Sequence, residues 1–333
     1  MNEVPSNPRI LVVKMSSLGD LFHALPTVHE LKVGLQATVD WVVQPEYADL
    51  ARCFTDVDRV LVFPRRGFWK GIVGFTRMLR EREYDLIIDL QGLMKSALVT
   101  RLARGPRRIG PSFHREGAHL FYSEVAGARN KERHAVEEVL DVVRHLGLEV
   151  HAPVFPVTFP KKTLVERAPR VALVPCSRWI TKNWPAERFV EVGFELQKRA
   201  GATIFLAGSK ADIEVCRRIE TKLARNVVNT AGQTSLAELG SLLQEMDLVI
   251  TVDSGPMHVA AAVGRPVLAL FGATDPKRTG PYGSQHRIVV SPAAACRPCF
   301  SGSCREGKMS CLLDISSAEV VQTALDMLGI AAR

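Results

Sequence analysis

The sequence has 333 residues, 47% hydrophobic and 23% charged, so its composition is that of a globular protein long enough for two domains. The segment Met1–Pro8 lacks the charged region and the apolar region of a signal peptide. No apolar run reaches the roughly 18 residues of a membrane span, so we expect a soluble intracellular protein. The net charge of +8 is concentrated in Val60–Arg115, which has twelve Lys or Arg and four Asp or Glu. This region shows no helix-turn-helix, zinc finger or aromatic residues interleaved with the basic ones, so we do not expect nucleic acid as a partner.

The first half of the chain alternates short apolar runs with amphipathic stretches. The predicted strands are Ile10–Lys14, Val39–Val43, Val60–Phe63, Leu86–Leu90 and Arg108–Ile109. The predicted helices are Leu21–Val33, Tyr47–Phe54, Phe68–Arg82, Lys95–Ala103 and His134–Leu146. Strands that alternate with helices of this length predict a parallel sheet covered on both faces.

The second half repeats this alternation after a proline-rich, extended linker near His151–Arg170. The predicted strands are Val171–Val174, Thr203–Ala207, Val227–Asn229, Leu248–Val252, Val267–Leu270 and Ile288–Val290. The predicted helices are Ala186–Ala200, Ala211–Ala224, Ser235–Glu245, His258–Val263 and Ser317–Leu328. The sequence therefore predicts an α/β chain of two doubly wound domains, residues 1–160 and 161–333, with a ligand beside the strand C-termini. We expect the last helix to pack back on the first domain.

Two strand-to-helix junctions have the residues expected at a phosphate site. The apolar run Leu248–Val252 ends at Asp253–Gly255, and Ile10–Lys14 ends at the turn Met15–Asp20. Such a junction points backbone N–H groups and the positive end of a helix at one spot. One junction in each half indicates a two-domain enzyme that acts on a phosphorylated substrate.

Asp20 has two interpretations. It is either part of the cap of the following helix, together with Ser16 and Ser17, or a general base on an acceptor hydroxyl. A general base contributes about 10² to 10⁴-fold in rate. The helix N-terminus favours the ionised carboxylate in both cases.

The loop Pro175–Pro185 follows the first strand of the second half. Its hydroxyls and cations are Ser177, Arg178, Thr181 and Lys182. This mixture suits a diphosphate, although an ordinary solvated loop can have the same composition. Asp212 either caps a helix or accepts hydrogen bonds from a sugar hydroxyl, and Asp253 and His258 likewise have a structural and a binding interpretation.

Seven cysteines do not form a complete disulfide framework, and four of them follow the pattern Cys296-x2-Cys299-x4-Cys304-x6-Cys311. The first pair has zinc-ligand spacing and the second does not, so the segment is a metal site or, as we favour, a loop of free thiols. No G-x-G-x-x-G motif follows a strand, which disfavours a nicotinamide site. We expect neither a metal nor a cofactor.

Several segments form one ordered set along the chain. They are Lys14–Asp20 with His23 and Pro26, Asp89–Ser96 with Leu98–Gly105, Lys182–Pro185, Asp253–Gly255 with His258, and Phe271–Pro276. The set resembles the bacterial ADP-heptose–lipopolysaccharide heptosyltransferases, glycosyltransferase family 9, and its second segment is most similar to heptosyltransferase I. The resemblance implies the GT-B fold, two Rossmann-like domains facing a central cleft, and an inverting, metal-independent transfer.

The resemblance also implies roles for single residues. Asp20 is the expected catalytic base on the Kdo hydroxyl. The residues expected to contact the donor, ADP-heptose, are Cys176, Ser177, Arg178, Lys182, Asp212, Asp253, Ser254, Gly255 and His258. Of these, Lys182, Ser177 and Cys176 hold the diphosphate and Asp212 contacts the ribose. The residues expected to contact the acceptor are Ser17, Gly19, Lys95, Arg65 and Arg66.

The sequence therefore predicts a cytoplasmic, monomeric heptosyltransferase that moves L-glycero-D-manno-heptose to Kdo-lipid A. The basic region Val60–Arg115 is either a solvated surface or the part that meets the anionic inner membrane. Heptosyltransferase II, or another nucleotide-sugar transferase of the family, is an alternative. A nucleotide-sugar epimerase and a non-catalytic binding protein are more distant alternatives; turnover of donor alone would favour the first, and ADP binding without turnover the second.

Overall fold

A computed structural model describes residues 5–64, 68–166 and 169–330 of the chain. The chain divides into two compact units, Met1–Thr158 and Phe159–Arg333. Each unit contains one six-stranded sheet with parallel neighbouring strands.

The first unit is built on an apolar central strand. Its strands are β1 Arg9–Val13, β2 Thr38–Val43, β3 Arg59–Val62, β4 Leu86–Asp89, β5 Arg107–Pro111 and β6 Glu124–Ala126. They lie in the order β3-β2-β1-β4-β5-β6, so the strand order reverses between β1 and β4. In doubly wound sheets this reversal is the switch point where ligands bind beside the carboxyl ends of the strands.

Helices cover both faces of this sheet. They are α1 Leu18–Leu35, α2 Ala48–Ala51, α3 Phe68–Leu79, α4 Met94–Leu102, α5 Ala135–Val139 and α6 Asp141–His145, with 3₁₀ turns at Pro45–Tyr47 and Ala118–Phe121. Alternate residues of β1 point to opposite faces; Leu11 and Val13 join the buried cluster that contains Phe75 and Val99. The core therefore lies between β1 and the helices that follow β3 and β4.

The first unit differs in detail from the predictions: for example, the predicted helix Tyr47–Phe54 is only Ala48–Ala51. The predicted helix His134–Leu146 is two short helices that meet at Leu140, where the Val143 N–H donates to the carbonyl three residues back instead of four. Strand β6 was not predicted, because three residues are too few to show an alternating pattern. A 2.7 Å ion pair between Arg107 and Glu124 links β6 to β5.

The second unit repeats the topology of the first. Its strands are β7 Arg170–Val174, β8 Thr203–Leu206, β9 Val227–Asn229, β10 Leu248–Val252, β11 Val267–Phe271 and β12 Arg287–Val290. They lie in the order β12-β11-β10-β7-β8-β9, so the switch point is between β7 and β10. Strands β10 and β11 are buried along their whole length, which explains their continuous apolar sequence.

The helices of the second unit include the last helix of the chain. They are α7 Ala186–Ala200, α8 Ile213–Leu223, α9 Leu236–Leu243, α10 Gly255–Ala262, α11 Pro276–Thr279, α12 Ser310–Leu313 and α13 Ser317–Met327, with 3₁₀ turns at Ile180–Lys182 and Lys210–Asp212. Helix α13 packs on α7, and its Val320, Ala324 and Leu325 join the buried core of the second unit. No helix in the described ranges has the length and hydropathy of a membrane span.

Candidate functional site

The turn after β1 presents Asp20 at the switch point of the first unit. Asp20 is in the first turn of α1, and its Oδ2 accepts hydrogen bonds from the Ser17 N–H at 2.8 Å and the Ser17 hydroxyl at 2.7 Å. The carboxylate therefore caps the helix, as one interpretation of the sequence predicted. Both bonds use Oδ2, and the residue is partly exposed.

Opposing effects set the protonation of Asp20. Burial raises its pKa, but the positive charges of Lys14 and His23 and the hydrogen bonds from Ser17 outweigh burial and lower the pKa to about 2. Asp20 is therefore a carboxylate throughout the physiological pH range.

Side chains from the end of β4 hold the turn that carries Asp20. The Gln91 Oε1 accepts hydrogen bonds from the backbone N–H groups of Met15 and Ser16 at 3.2 and 3.1 Å. The N–H of Gln91 in turn donates to Asp89 at 2.7 Å, and the Tyr122 hydroxyl donates to the same buried carboxylate at 2.7 Å. The roles of Asp89, Gln91 and Tyr122 were not predicted, although Asp89 and Gln91 lie in the segment Asp89–Ser96.

The predicted acceptor residues are distributed over the first unit. Ser17 and Gly19 lie in the same turn as Asp20. Lys95 is exposed in the first turn of α4, which follows β4, and its Nζ is 4.5 Å from the centre of the Phe63 ring. Arg65 and Arg66 lie outside the described residues.

An ion pair lies at the switch point of the second unit. The Lys182 Nζ is 2.7 Å from the Asp253 Oδ2, and the Thr274 hydroxyl donates to the same oxygen at 2.6 Å. The side chain of Asp253 is 7% exposed and that of Lys182 is 18% exposed. The Lys182 ammonium also lies 4.9 Å from the centre of the Trp179 ring, a cation–π distance. An accessible cation therefore stands beside a nearly buried carboxylate.

Hydrogen bonds fold the loop after β7 around this pair. The Ser177 N–H donates to the Asn183 side chain at 2.6 Å, and the Thr181 hydroxyl donates to the Ser301 carbonyl at 2.6 Å. Arg178 is exposed at the outer edge of the loop. The loop is therefore held by contacts within itself and to Ser301, and the roles of Asn183 and Thr274 were not predicted.

Helix α10 begins at Gly255, three residues before the predicted start at His258. Pro256 in the first turn needs no N–H partner, which favours the earlier start. Ser254 is the N-cap, and its hydroxyl is 3.1 Å from that of Thr251. His258 is buried in the second turn. This helix N-terminus, next to Asp253, is a suitable place for an anion.

Asp212 has the capping role that was one of its two interpretations. Its Oδ2 accepts hydrogen bonds from the Ser209 N–H and hydroxyl, both at 2.7 Å. Burial, then the nearby charge of Asp212 and the Cys216 thiol, raise the pKa of Cys176 to about 12, so its thiol stays protonated. The structure thus brings Cys176 and Asp212 together after β7 and β8.

The four-cysteine segment has free thiols, with Cys296, Cys299 and Cys304 in a loop and Cys311 in α12. Cys296 and Cys299 are exposed, and Cys311 is buried. Across the ranges the structure describes, no group of three or more His, Cys, Asp or Glu is arranged to hold a metal ion.

The comparison with protein families decides the identity. Residues 72–310 match the model of glycosyltransferase family 9 (heptosyltransferase). The chain belongs to glycosyltransferase family 9. Among curated proteins, this family 9 chain is 31% identical to lipopolysaccharide heptosyltransferase 1 of Salmonella typhimurium, over 85% of the chain and 94% of the relative. It is 29% identical to lipopolysaccharide heptosyltransferase 1 of Pseudomonas aeruginosa, over 89% and 87%.

Solved structures agree with the family assignment. The E. coli heptosyltransferase WaaC with ADP is 26% identical, with a TM-score of 0.80 over 96% of this chain and 99% of WaaC. WaaC with ADP-2-deoxy-2-fluoro heptose is 25% identical, with a TM-score of 0.78 over the same 96% and 99%. The predicted fold class, α/β GT-B with two Rossmann-like sheets, is confirmed, and the family 9 chain is a glycosyltransferase.

Proposed function

We propose that this enzyme transfers L-glycero-D-manno-heptose from ADP-heptose to a Kdo-lipid A acceptor in lipopolysaccharide inner-core biosynthesis. The observation that carries the proposal is a pair of switch-point sites, a partly exposed carboxylate at Asp20 and an accessible cation at Lys182 beside the α10 N-terminus. The curated relatives quoted above are named heptosyltransferase 1, and the WaaC structures are named with ADP and an ADP-heptose analogue.

The donor site of the proposal lies in the second unit. In this proposal the Lys182 ammonium pairs with the diphosphate of ADP-heptose, and the backbone N–H groups of Ser254 and Gly255 donate hydrogen bonds to it. Asp253 and His258 then lie beside the heptose, and Asp212 and Cys176 beside the ribose. Arg178 and Ser177, in the loop after β7, are the remaining residues assigned to the donor. These assignments follow the resemblance and agree with the grouping of the residues after β7, β8 and β10.

The acceptor site of the proposal lies in the first unit, where Ser17 and Gly19 follow β1 and Lys95 follows β4. The acceptor hydroxyl attacks the anomeric carbon, its C–O bond forms, and its proton passes to the Asp20 Oδ1. The bond from the anomeric carbon to the diphosphate oxygen breaks, and ADP leaves with the electron pair. Since Asp20 has a pKa of about 2, it is a weak base and accepts the proton only when the forming C–O bond has made the attacking hydroxyl acidic. Proton transfer therefore occurs late, after formation of the C–O bond has begun.

Asp20→Asn tests the proposal. The amide oxygen can still accept from Ser17, so the helix cap is largely preserved, but the variant has no base. We expect turnover of ADP-heptose with Kdo-lipid A to fall by at least about 10²-fold, with ADP affinity within about twofold of the parent. Wild-type turnover in this variant would overturn the assignment of the base.

The acceptor is tested by supplying Kdo-lipid A and a heptosylated Kdo-lipid A side by side. ADP release with the first acceptor supports the proposal, and release only with the second identifies the heptosyltransferase II activity. Release of ADP from the donor without any acceptor would instead favour the epimerase alternative.

We also propose that the enzyme contacts the cytoplasmic face of the inner membrane through α3. On this helix Val73 is 63% exposed and Arg77 is exposed one turn later, and the exposed Arg80 directly follows the helix. Arg82 is not available for this contact, because it forms a 2.9 Å ion pair with the buried Asp40.

Replacing both Arg77 and Arg80 by Gln tests this contact. We expect lower co-sedimentation with anionic phosphatidylglycerol vesicles and unchanged ADP binding. Arg217→Gln is the matched control, since Arg217 is exposed in the second unit and paired with Glu214 at 2.9 Å. Equal vesicle binding by the double variant and the parent would remove the proposal.

A further inference from the structure

Three exposed apolar side chains lie in two loops of the second unit. Trp179 and Ile180 are in the loop after β7, and Phe300 is in the loop before α12; they are 37%, 61% and 51% exposed. We infer that this apolar patch, together with the basic residues that flank it, is a contact surface for an anionic phospholipid bilayer. The patch is in a different unit from α3, and the proposed transfer reaction assigns it no role.

Contacts between the two loops make the apolar patch one continuous surface. The Thr181 hydroxyl donates to the Ser301 carbonyl at 2.6 Å, so the residues directly before Thr181 and Ser301 are held close to each other. A Cβ added at Gly302 would lie 3.7 Å from the Trp179 ring, so the second loop also passes beside this ring. Each of the three apolar side chains is therefore adjacent to the contact between the loops.

The loop that carries Phe300 is anchored to the residues after β11. The Arg297 Nε donates to the Gly272 carbonyl at 2.6 Å, and the Phe300 N–H donates to the Ala273 carbonyl at 2.9 Å. Phe300 has a φ of 50°, in the left-handed region that is unfavourable for a bulky residue. Such conformations persist where the surrounding structure imposes them, and they are concentrated at functional sites. The fold therefore keeps an exposed aromatic ring at a position where glycine would be free of strain.

Basic residues flank the apolar patch in both loops. Arg178 directly precedes Trp179, and Arg305 and Lys308 follow Phe300 in its loop. All three basic side chains are exposed, and Glu306, also exposed, adds one negative charge. The flanks therefore carry three positive charges and one negative charge, and an anionic lipid surface attracts such a set of charges.

The size and charge of the apolar patch favour a bilayer over a second copy of the chain. With the usual areas of these side chains, the patch presents about 300 Å² of apolar surface. A stable protein interface covers about 800 Å² on each partner. In a symmetric contact between two copies, the basic flanks would also face each other. Aromatic and aliphatic side chains beside Lys and Arg are instead typical of surfaces that bind at the level of the lipid headgroups.

The double variant Phe300→Gly with Ile180→Ser tests the inference. Glycine adopts a positive φ freely, so Phe300→Gly removes the ring without straining the backbone, and Ile180 is mostly exposed. Membrane affinity scales with the apolar area that the lipid covers. We therefore expect at least about tenfold weaker co-sedimentation with vesicles of phosphatidylcholine and phosphatidylglycerol, with an unchanged Tm and with ADP affinity within about twofold of the wild type.

Two controls separate this surface from general stickiness. Phe194→Ser is the matched variant, because Phe194 is 54% exposed in α7 of the same unit, and it should bind vesicles like the wild type. Replacing Arg305 and Lys308 by Gln should weaken binding to the vesicles that contain phosphatidylglycerol. The wild type should bind vesicles of phosphatidylcholine alone at least about tenfold more weakly than the anionic vesicles.

The outcomes distinguish this surface from the other proposals. Equal vesicle binding by the double variant and the wild type overturns the inference, as does an equal loss in Phe194→Ser. A dimer of the wild type that the double variant lacks, with unchanged vesicle binding, overturns it in favour of a second copy. A loss confined to the variant of Arg77 and Arg80 overturns it and leaves the α3 contact in place. If Phe300→Gly lowers the Tm, Ile180→Ser alone decides in the same way.

Discussion

The Lys182–Asp253 ion pair predicts that removing a charge from the donor site strengthens nucleotide binding. In the structure, Asp253 already neutralises the cation that we assign to the diphosphate, at 2.7 Å. A bound diphosphate must therefore compete with Asp253 for Lys182, and it is also repelled by the negative charge of the Asp253 carboxylate. Asp253→Asn removes both effects and retains the shape of the side chain, so we expect tighter ADP binding.

The size of the effect follows from the distance. Two unit charges 2.7 Å apart attract by about 1.5 kcal/mol with the dielectric of water and about 6 kcal/mol at an effective dielectric of 20. Because Lys182 is 18% exposed and an amide oxygen can still accept its hydrogen bond, we take the lower part of this range. A gain of about 1.5 to 3 kcal/mol corresponds to about 10- to 150-fold tighter ADP binding.

Isothermal titration of ADP measures this effect, and Trp179 fluorescence gives a second signal because its ring lies beside Lys182. Lys182→Met is the matched variant: it removes the opposite charge, so ADP should bind at least about tenfold more weakly. Changes of opposite sign in the two variants cannot arise from misfolding alone. ADP binding that is unchanged or weaker in Asp253→Asn would refute the reasoning.

Two other predictions concern stability. A Cβ added at Gly110 would lie 2.0 Å from the ring of Tyr122, so Gly110→Ala should destabilise the protein by about 2 to 4 kcal/mol in thermal unfolding. Gly74→Ala is the control: Gly74 lies in α3 with nothing within 4 Å of the added Cβ, so this variant should be neutral or stabilise the protein by up to about 1 kcal/mol. Equal changes in stability in the two variants would contradict the packing argument. The hydrogen bond from Arg107 lowers the pKa of Glu124 from 4.5 to about 2, so its contribution of about 1 to 2 kcal/mol is complete above pH 4.5 and is lost as pH falls towards 2. Glu124→Gln should therefore lower the Tm at pH 7 and much less at pH 3, and a difference that is independent of pH would contradict the assignment.

The central strands and their junctions could be predicted because their signals are local. Strands β1 and β10 are buried on both faces, so their sequences are continuous apolar runs bounded by turn residues. For Asp20 the sequence left two interpretations; the structure shows the capping one, in which Oδ2 accepts both hydrogen bonds from Ser17, and the role as a base stays a proposal.

The supporting contacts could not be predicted because they join distant parts of the chain. Gln91 contacts the turn 75 and 76 positions before it, and Thr274 contacts Asp253 across 21 positions. Neither residue type has a spacing that identifies its partner. For Asp212, spacing fitted both a cap and a ligand contact, and only the Ser209 hydrogen bonds show the capping geometry.

The capping box at Ser17 and Asp20 has a consequence for how this enzyme can evolve or be inhibited. The carboxylate assigned to chemistry is also the start signal of an 18-residue helix whose inner face belongs to the core. Replacing Asp20 by a residue that cannot accept hydrogen bonds removes the proposed base and also weakens the first turn of that helix, so two independent effects oppose such a substitution. A small molecule that draws the carboxylate away from Ser17 would, by the same coupling, loosen the scaffold as well as occupy the site.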